Sequence, residues 1–274
     1  MALAIHGNRC RDTDDALCRL AGTRTRDAAT RRFYRTGGTM NVTVTWLRSW
    51  AYLFAFLAWT IFASVGMLPL LVRRSWTLVA IRTWVGGIMV LARVIARIDC
   101  RVVGREHIPS GPCIIAAQHQ ASYETYRVFL EIERPVLVLK RELTWIPIIG
   151  WYMARGGLVP IDRSAGAGAM RKMLRAAEAA LARGDQIVLF PEGTRVLPGV
   201  YRAYQPGIAA LYSYCKVPVI PMALNSGVLW GKTRILKRPG TIVMKFLPAL
   251  PERLGKQEML DTLRARIEGA DLTN

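Results

Sequence analysis

Cys113-Ile114-Ile115-Ala116-Ala117-Gln118-His119-Gln120-Ala121-Ser122-Tyr123-Glu124 reads as a buried strand that runs into a turn and then into a helix. The apolar run Cys113–Ala117 has the length and bounds of a fully buried strand. Tyr126 to Glu131 has a helical pattern, and Ser122 stands at the N-cap position. His119 therefore falls where a strand ends and a helix begins, the place where α/β proteins expose reactive groups. Glu124 follows five positions later. On a continuous helix that spacing would set two side chains about 140° apart. The pair meets only if His119 lies on the turn and Glu124 on the first helical turn. A carboxylate that accepts from one ring nitrogen fixes the tautomer and leaves the other nitrogen more basic; that is a general base with its orienting partner. A lone histidine near a strand end is more often a satisfied structural residue than a catalyst, so the rest of the chain has to decide.

Working outward, further strands are expected at Cys100–Val103, Val136–Leu139, Leu158–Ile161, Ile187–Phe190, Val217–Leu224 and Ile242–Phe246. Between two of them, Ala169 to Ala182 is an alanine-rich helix that Gly184 stops. Strands alternating with helices imply an α/β fold, a mainly parallel sheet flanked by helices. Arg264, Arg266 and Glu268 decorate a short helix near the carboxyl end, read as surface.

Three more blocks punctuate this pattern. Gly156-Gly157-Leu158-Val159-Pro160-Ile161-Asp162-Arg163 ends on a permanently charged side chain. Phe190-Pro191-Glu192-Gly193-Thr194-Arg195 again marks a strand end, and Val217-Pro218-Val219-Ile220-Pro221-Met222-Ala223-Leu224 is a proline-interrupted apolar strand. The carboxyl ends of parallel strands share one edge, where ligands bind. The first and third blocks should thus open onto one cleft, although some seventy positions separate them. Arg163 and Arg195 are planar donors suited to bidentate phosphate binding, and Gly193 lets backbone come close to a ligand.

No charged residue occurs from Trp50 to Val72, a run long enough to cross a bilayer. Arg48, Arg73 and Arg74 flank it, and Trp46, Trp50 and Trp76 suit an interface. A second apolar stretch, Thr83 to Ala92, is too short to span alone and fits an interfacial or re-entrant helix. Residues 1–39 carry eight arginines, four aspartates and no lysine, with little apolar periodicity. They are expected to be a disordered extension, or sequence translated upstream of a start at Met40, where the chain changes character. The expected organisation is 1–39 as that extension, 40–98 as a membrane-associated helical region and 99–274 as the α/β domain.

Composition narrows the partners. The 274 residues are 52% hydrophobic and carry a formal charge of +19, from 38 basic and 19 acidic side chains. That balance implies anionic partners. No interleaved aromatic–basic module for bases is visible, so the charge is assigned to an anionic lipid surface and phosphorylated substrates, not to nucleic acid. The five cysteines include no Cys-x-x-Cys pair, and there are three histidines, so neither a disulfide framework nor a metal centre is expected.

The four blocks, in this order and spacing, resemble the ordered motifs of the glycerolipid acyltransferases, in particular the bacterial 1-acyl-sn-glycerol-3-phosphate acyltransferases; Phe190-Pro191-Glu192-Gly193-Thr194-Arg195 is the most specific of them. The resemblance covers about residues 50–250. It implies that His119 is the general base that deprotonates the sn-2 hydroxyl of lysophosphatidate, with Glu124 orienting it. It implies an acyl-CoA or acyl carrier protein thioester as donor, no covalent acyl-enzyme, and no metal or cofactor. It further implies Arg163 and Arg195 as phosphate-binding residues, Glu192, Gly193 and Thr194 in the glycerol-positioning block, and Pro221 in the block linked to the acyl donor. The implied location is the bacterial inner membrane, with the site facing the cytoplasm.

Two departures from the family pattern stand out. The usual acid of the first block is Asp, and here it is Glu124, whose extra methylene requires the loop to shift or the side chain to fold back. After the third block the family often has lysines, whereas between Val196 and Gln205 this chain has only Arg202. A different lyso-lipid acceptor, such as lyso-ornithine lipid, is the alternative within enzymes. A non-catalytic, membrane-bound lipid-binding protein is the alternative outside them.

Overall fold

A computed structural model describes residues 41–161, 166–231 and 235–273. Arg163 and the extension at 1–39 lie outside the described residues. The elements in chain order are α1 (Val42–Gly66), a 3-10 turn (Leu68–Val72), α2 (Arg74–Val94), β1 (Ile98–Val103), β2 (Cys113–Ala117), α3 (Tyr123–Glu131), β3 (Pro135–Lys140), a 3-10 turn (Arg141–Trp145) and α4 (Ile149–Gly156). There follow β4 (Val159–Ile161), α5 (Gly166–Ala182), β5 (Gln186–Leu189), α6 (Pro206–Cys215), β6 (Val219–Leu224), a single helical turn α7 (Ser226–Leu229), β7 (Gly240–Phe246) and α8 (Lys256–Glu268).

The seven strands form one sheet in the order β1-β7-β6-β2-β5-β3-β4. Every pairing is parallel except β6 with β7. Successive strand residues point to opposite faces, and the core divides accordingly. Ile115, Ala117, Val188 and Met222 pack beneath α1, α2 and α3. Ile114, Ala116, Ile187 and Val219 pack against α5, α6 and α8. Both faces are therefore covered, which is why β2 is apolar at every position.

The apolar run at Trp50–Val72 is divided rather than continuous. α1 stops at Gly66, and the next residues tighten into the 3-10 turn with Pro69 at its start; glycine and proline are the two residues least favourable inside a helix. The stretch Thr83–Ala92 is the second half of a 21-residue helix, α2, and not a short element. Arg82 does not interrupt it, because its guanidinium donates to the carbonyls of Phe129 (3.1 Å), Ile132 (3.0 Å) and Glu133 at the carboxyl end of α3. That end carries partial negative charge, so the cation is satisfied where it sits.

α2 is fastened at its start as well. Arg74 meets the fully buried Asp185 with both guanidinium nitrogens at 3.0 Å, and Arg134 and Arg183 complete the ring of cations. Burial by itself would raise the Asp185 carboxyl. The hydrogen bond and charge of Arg74, with Arg134 and Arg183, outweigh it and hold the group below the ordinary value. Thr77, Ala80, Val85, Ile88 and Ala92 then line the buried side of α2 against the sheet.

Candidate active site

β2 lies between β5 and β6, parallel to both, so three carboxyl ends emerge side by side. From β2 the chain turns through Gln118 and His119 into α3, which begins at Tyr123, directly after the expected N-cap Ser122. Ser122 holds the N-cap position, yet its side chain does not cap the helix; its Oγ accepts from Trp230 Nε1 at 3.0 Å. Glu124 takes over the role of acceptor. Its Oε1 accepts from the amides of Gln120 and Ala121, both at 2.7 Å, and lies 3.0 Å from His119 Nδ1. Its Oε2 accepts from Ser226 Oγ at 2.7 Å. The fully buried carboxylate thus has both oxygens occupied. The longer side chain folds back from the first turn of α3 to the loop, which is how Glu serves at a spacing where the family pattern has Asp.

With Nδ1 directed at Glu124, the Nε2 nitrogen of His119 has no partner among the described residues, and the side chain keeps 17% of its surface open. Phe190, at the end of β5, stacks on the ring at 4.3 Å between centroids. The third block is joined to the first by backbone too, since Val196 N donates to His119 O at 2.7 Å. Gly193 has φ +68°, the left-handed region that favours glycine, and this turns the chain sharply after Glu192. Thr194 is exposed and Arg195 half-buried, and Arg195 makes no ion pair with a described residue. The structure thus brings the first and third blocks together.

Glu192 is buried, and its Oε2 lacks a hydrogen-bond partner among the described residues. Burial pushes its carboxyl up to about 7; the amides of Glu192 and His119 and the Arg264 guanidinium act against the rise, and Glu124 adds to it. Near neutrality this group can donate as well as accept.

Pro221 is placed differently. It is buried in the body of β6 opposite Ala116, its carbonyl accepts from Leu247 N, and no bond ties it to His119 or Glu192. What β6 brings to the site comes from its last residue and beyond. Ser226 reaches Glu124, Gly227 N donates to Gln120 Oε1 at 3.0 Å, and Leu224 N donates to Gln118 Oε1 at 3.2 Å. Sequence reasoning missed Ser226; a hydroxyl just beyond the fourth block was the only signal. It also read Arg264 as surface. Arg264 packs against the rings of Tyr201 and Tyr204, at 4.3 and 4.6 Å, and donates to Tyr201 Oη, bracing the loop after the third block.

Comparison with known proteins bears on the family and the fold. The profile of the Acyltransferase family matches residues 99–225. The 1-acyl-sn-glycerol-3-phosphate acyltransferase of Pseudomonas aeruginosa is 35% identical over 187 residues, covering 68% of this chain and 73% of that one. The chain belongs to the acyltransferase family. A Chlamydomonas reinhardtii 1-acyl-sn-glycerol-3-phosphate acyltransferase is 31% identical to this acyltransferase across 61% of its length and 51% of the relative's. The fold matches that of the 1-acyl-sn-glycerophosphate acyltransferase from Thermotoga maritima, with a TM-score of 0.64 at 20% identity, covering 81% of this chain and 96% of that one.

Proposed function

We propose that this acyltransferase moves an acyl chain from a thioester donor, acyl-CoA or acyl carrier protein, to the sn-2 hydroxyl of 1-acyl-sn-glycerol 3-phosphate, giving phosphatidate for phospholipid biosynthesis. The observation that carries the reading is the His119–Glu124 pair, 3.0 Å apart, with the second ring nitrogen unpartnered among the described residues beside the third block. His119 Nε2 accepts the hydroxyl proton as the oxygen attacks the thioester carbonyl. The new ester C–O bond forms, the C–S bond breaks, and the imidazolium returns the proton to the departing thiolate. A thioester is already activated, so base catalysis and proximity suffice. Glu192 positions a glycerol hydroxyl, and Arg195, with Arg163, receives the phosphate.

The fatty acceptor resides in a membrane, and the helical hairpin supports working there. α1 and α2 are long and apolar enough to cross a bilayer by length and composition, and α1 exposes Leu47, Phe54, Ile61 and Phe62. Yet α1 is tied to the α/β part at both ends: Ser49 Oγ accepts from Lys237 N at 2.9 Å, and Ser64 O accepts from Tyr152 Oη at 3.0 Å. A helix that spans has to cross a hydrocarbon core about 30 Å thick, and the α/β part held at both ends of α1 would have to enter it too. Contact along one side only favours insertion into a single leaflet, the cytoplasmic one of the inner membrane.

The test is formation of phosphatidate from lysophosphatidate and labelled acyl-CoA or acyl carrier protein by the purified protein, with lyso-ornithine lipid as competing acceptor. His119→Ala should lower turnover by roughly 10²–10⁴-fold and leave fold and membrane binding intact. Near-normal turnover of that variant removes the base assignment, and preference for the other acceptor removes the substrate.

A further inference from the structure

We propose that the turn and helix over residues 141–156 form a second membrane-contact element, separate from the α1–α2 hairpin, seated at the headgroup–acyl boundary of an anionic bilayer. The proposal rests on the membrane reading above and adds a surface to it. Leu143, Trp145, Ile146 and Trp151 stand exposed within nine residues, Trp145 at 65% and Trp151 at 59%. Among the described residues beyond 98, these four are half of the eight exposed large apolar side chains. Elsewhere on the α/β part such residues are scattered, as is normal for a surface; here they form a patch.

The element is hydrogen-bonded to the hairpin. Arg155 Nε donates to Leu71 O at 2.8 Å and its terminal nitrogen to Val72 O at 3.3 Å, in the turn that joins α1 to α2. Arg74 Nε donates to Gly156 O at 3.2 Å. Beside that turn Phe62, Val65, Val72 and Trp76 are exposed as well. The element's charge fits anionic headgroups. The guanidinium of Arg141 lies 5.5 Å from the Trp145 ring, as that of Arg73 lies 5.4 Å from Trp76. The acidic Glu142 is paired with Lys140 at 3.2 Å. Tryptophan with arginine stacked on it is the pairing that sits at a bilayer interface, ring in the acyl boundary and cation among phosphates.

Position gives the element its use. It leaves the carboxyl end of β3, the neighbour of β5 in the sheet, and returns as β4. It therefore borders the same sheet edge as His119 and Glu192. Contact there turns the cleft mouth toward the leaflet that holds the acceptor.

The experiment compares full-length wild type, Trp145→Ser with Trp151→Ser, and Phe54→Ser with Phe62→Ser on α1. Each is floated with vesicles of phosphatidylethanolamine containing a minority of phosphatidylglycerol. The 145/151 variant should partition roughly tenfold less. It should lose turnover on lysophosphatidate embedded in vesicles and keep wild-type turnover on a short-chain, water-soluble lysophosphatidate. Leu143→Ser with Ile146→Ser, on the same turn, should reproduce the loss, which covers the case of one variant folding poorly. Loss in the α1 variant alone overturns the patch and leaves the membrane reading standing. No loss in any variant overturns both. A change in oligomeric state by light scattering with flotation unchanged assigns the patch to a second copy of the chain and overturns the proposal.

Discussion

Glu192→Gln offers a measurement in which the sign is as informative as the size. The Glu192 carboxyl is raised from 4.5 to about 7 in the folded protein, chiefly by burial. A raised carboxyl binds its proton more tightly folded than unfolded, so its contribution to stability is present at low pH and is lost as pH climbs from about 4.5 to about 7. That rise, at ~1.36 kcal/mol for each tenfold change in proton affinity, amounts to about 3 kcal/mol across that window. Glutamine keeps the shape and cannot ionise. For a chain of this size that is roughly 6–12 °C in Tm. Thermal unfolding followed by circular dichroism in detergent micelles at pH 5 and pH 8 reads the effect. The wild type should lose ground to Glu192→Gln at the higher pH. Any constant cost of the amide cancels between the two pH values, and the opposite titration of Asp185 is common to both proteins. An equal Tm difference at pH 5 and pH 8 would refute the claim that Glu192 carries an ionisation suppressed by burial.

Ser226→Ala leaves Glu124 Oε2 without its 2.7 Å donor. The loss should be about 1–3 kcal/mol of stability, with kcat falling more than KM changes because the hydroxyl is bonded to Glu124 and acts through it; a normal kcat would show that Ser226 does not position the dyad. Arg195→Ala should raise KM for the lyso-lipid more than KM for the acyl donor, and steady-state kinetics varying each substrate in turn would expose the reverse. Asp185→Asn leaves three arginines facing a neutral amide; because their side chains are 27–48% exposed, the destabilisation should be about 1–3 kcal/mol, below that of a fully buried pair. In the wild type that contribution is present above about 3.8 and lost as pH falls through the depressed folded value, so acid unfolding midpoints compare the two.

What the sequence disclosed and what it hid divide along a physical line. All seven strands were legible: β2, β5 and β6 are buried at every position and read as unbroken apolar runs, while β1, β3, β4 and β7, partly exposed, still show short apolar or β-branched runs. The meeting of His119 with Phe190 followed from parallel strands sharing an edge. The order of the strands did not, nor did the reversed pairing of β7 with β6, since no local pattern records which neighbour a strand takes. α2 was concealed for a related reason. Arg82 reads as a boundary until the carbonyls of Phe129 and Ile132 are found to receive it.

The acid of the dyad shows the same limit at the level of one side chain. In isolation, Glu124 in place of Asp looks like a mismatch of reach. In the fold, the added methylene lets one carboxylate bridge Gln120 and Ala121 at the head of the helix, His119 on the loop and Ser226 from the far side of β2. Ser226 is 102 positions away in the chain, so only the adjacency of β6 to β2 makes the longer side chain useful. An aspartate at the same backbone position would have to withdraw from either the imidazole or the serine. The pairing of Glu124 with Ser226 is therefore a single structural choice made in two places, and Glu124→Asp should be tolerated less well here than the family pattern alone would indicate. Turnover of Glu124→Asp beside that of Ser226→Ala and of the double variant measures this: coupled losses that fail to add mark one unit, whereas additive losses would mean that the serine and the length of the acid are independent.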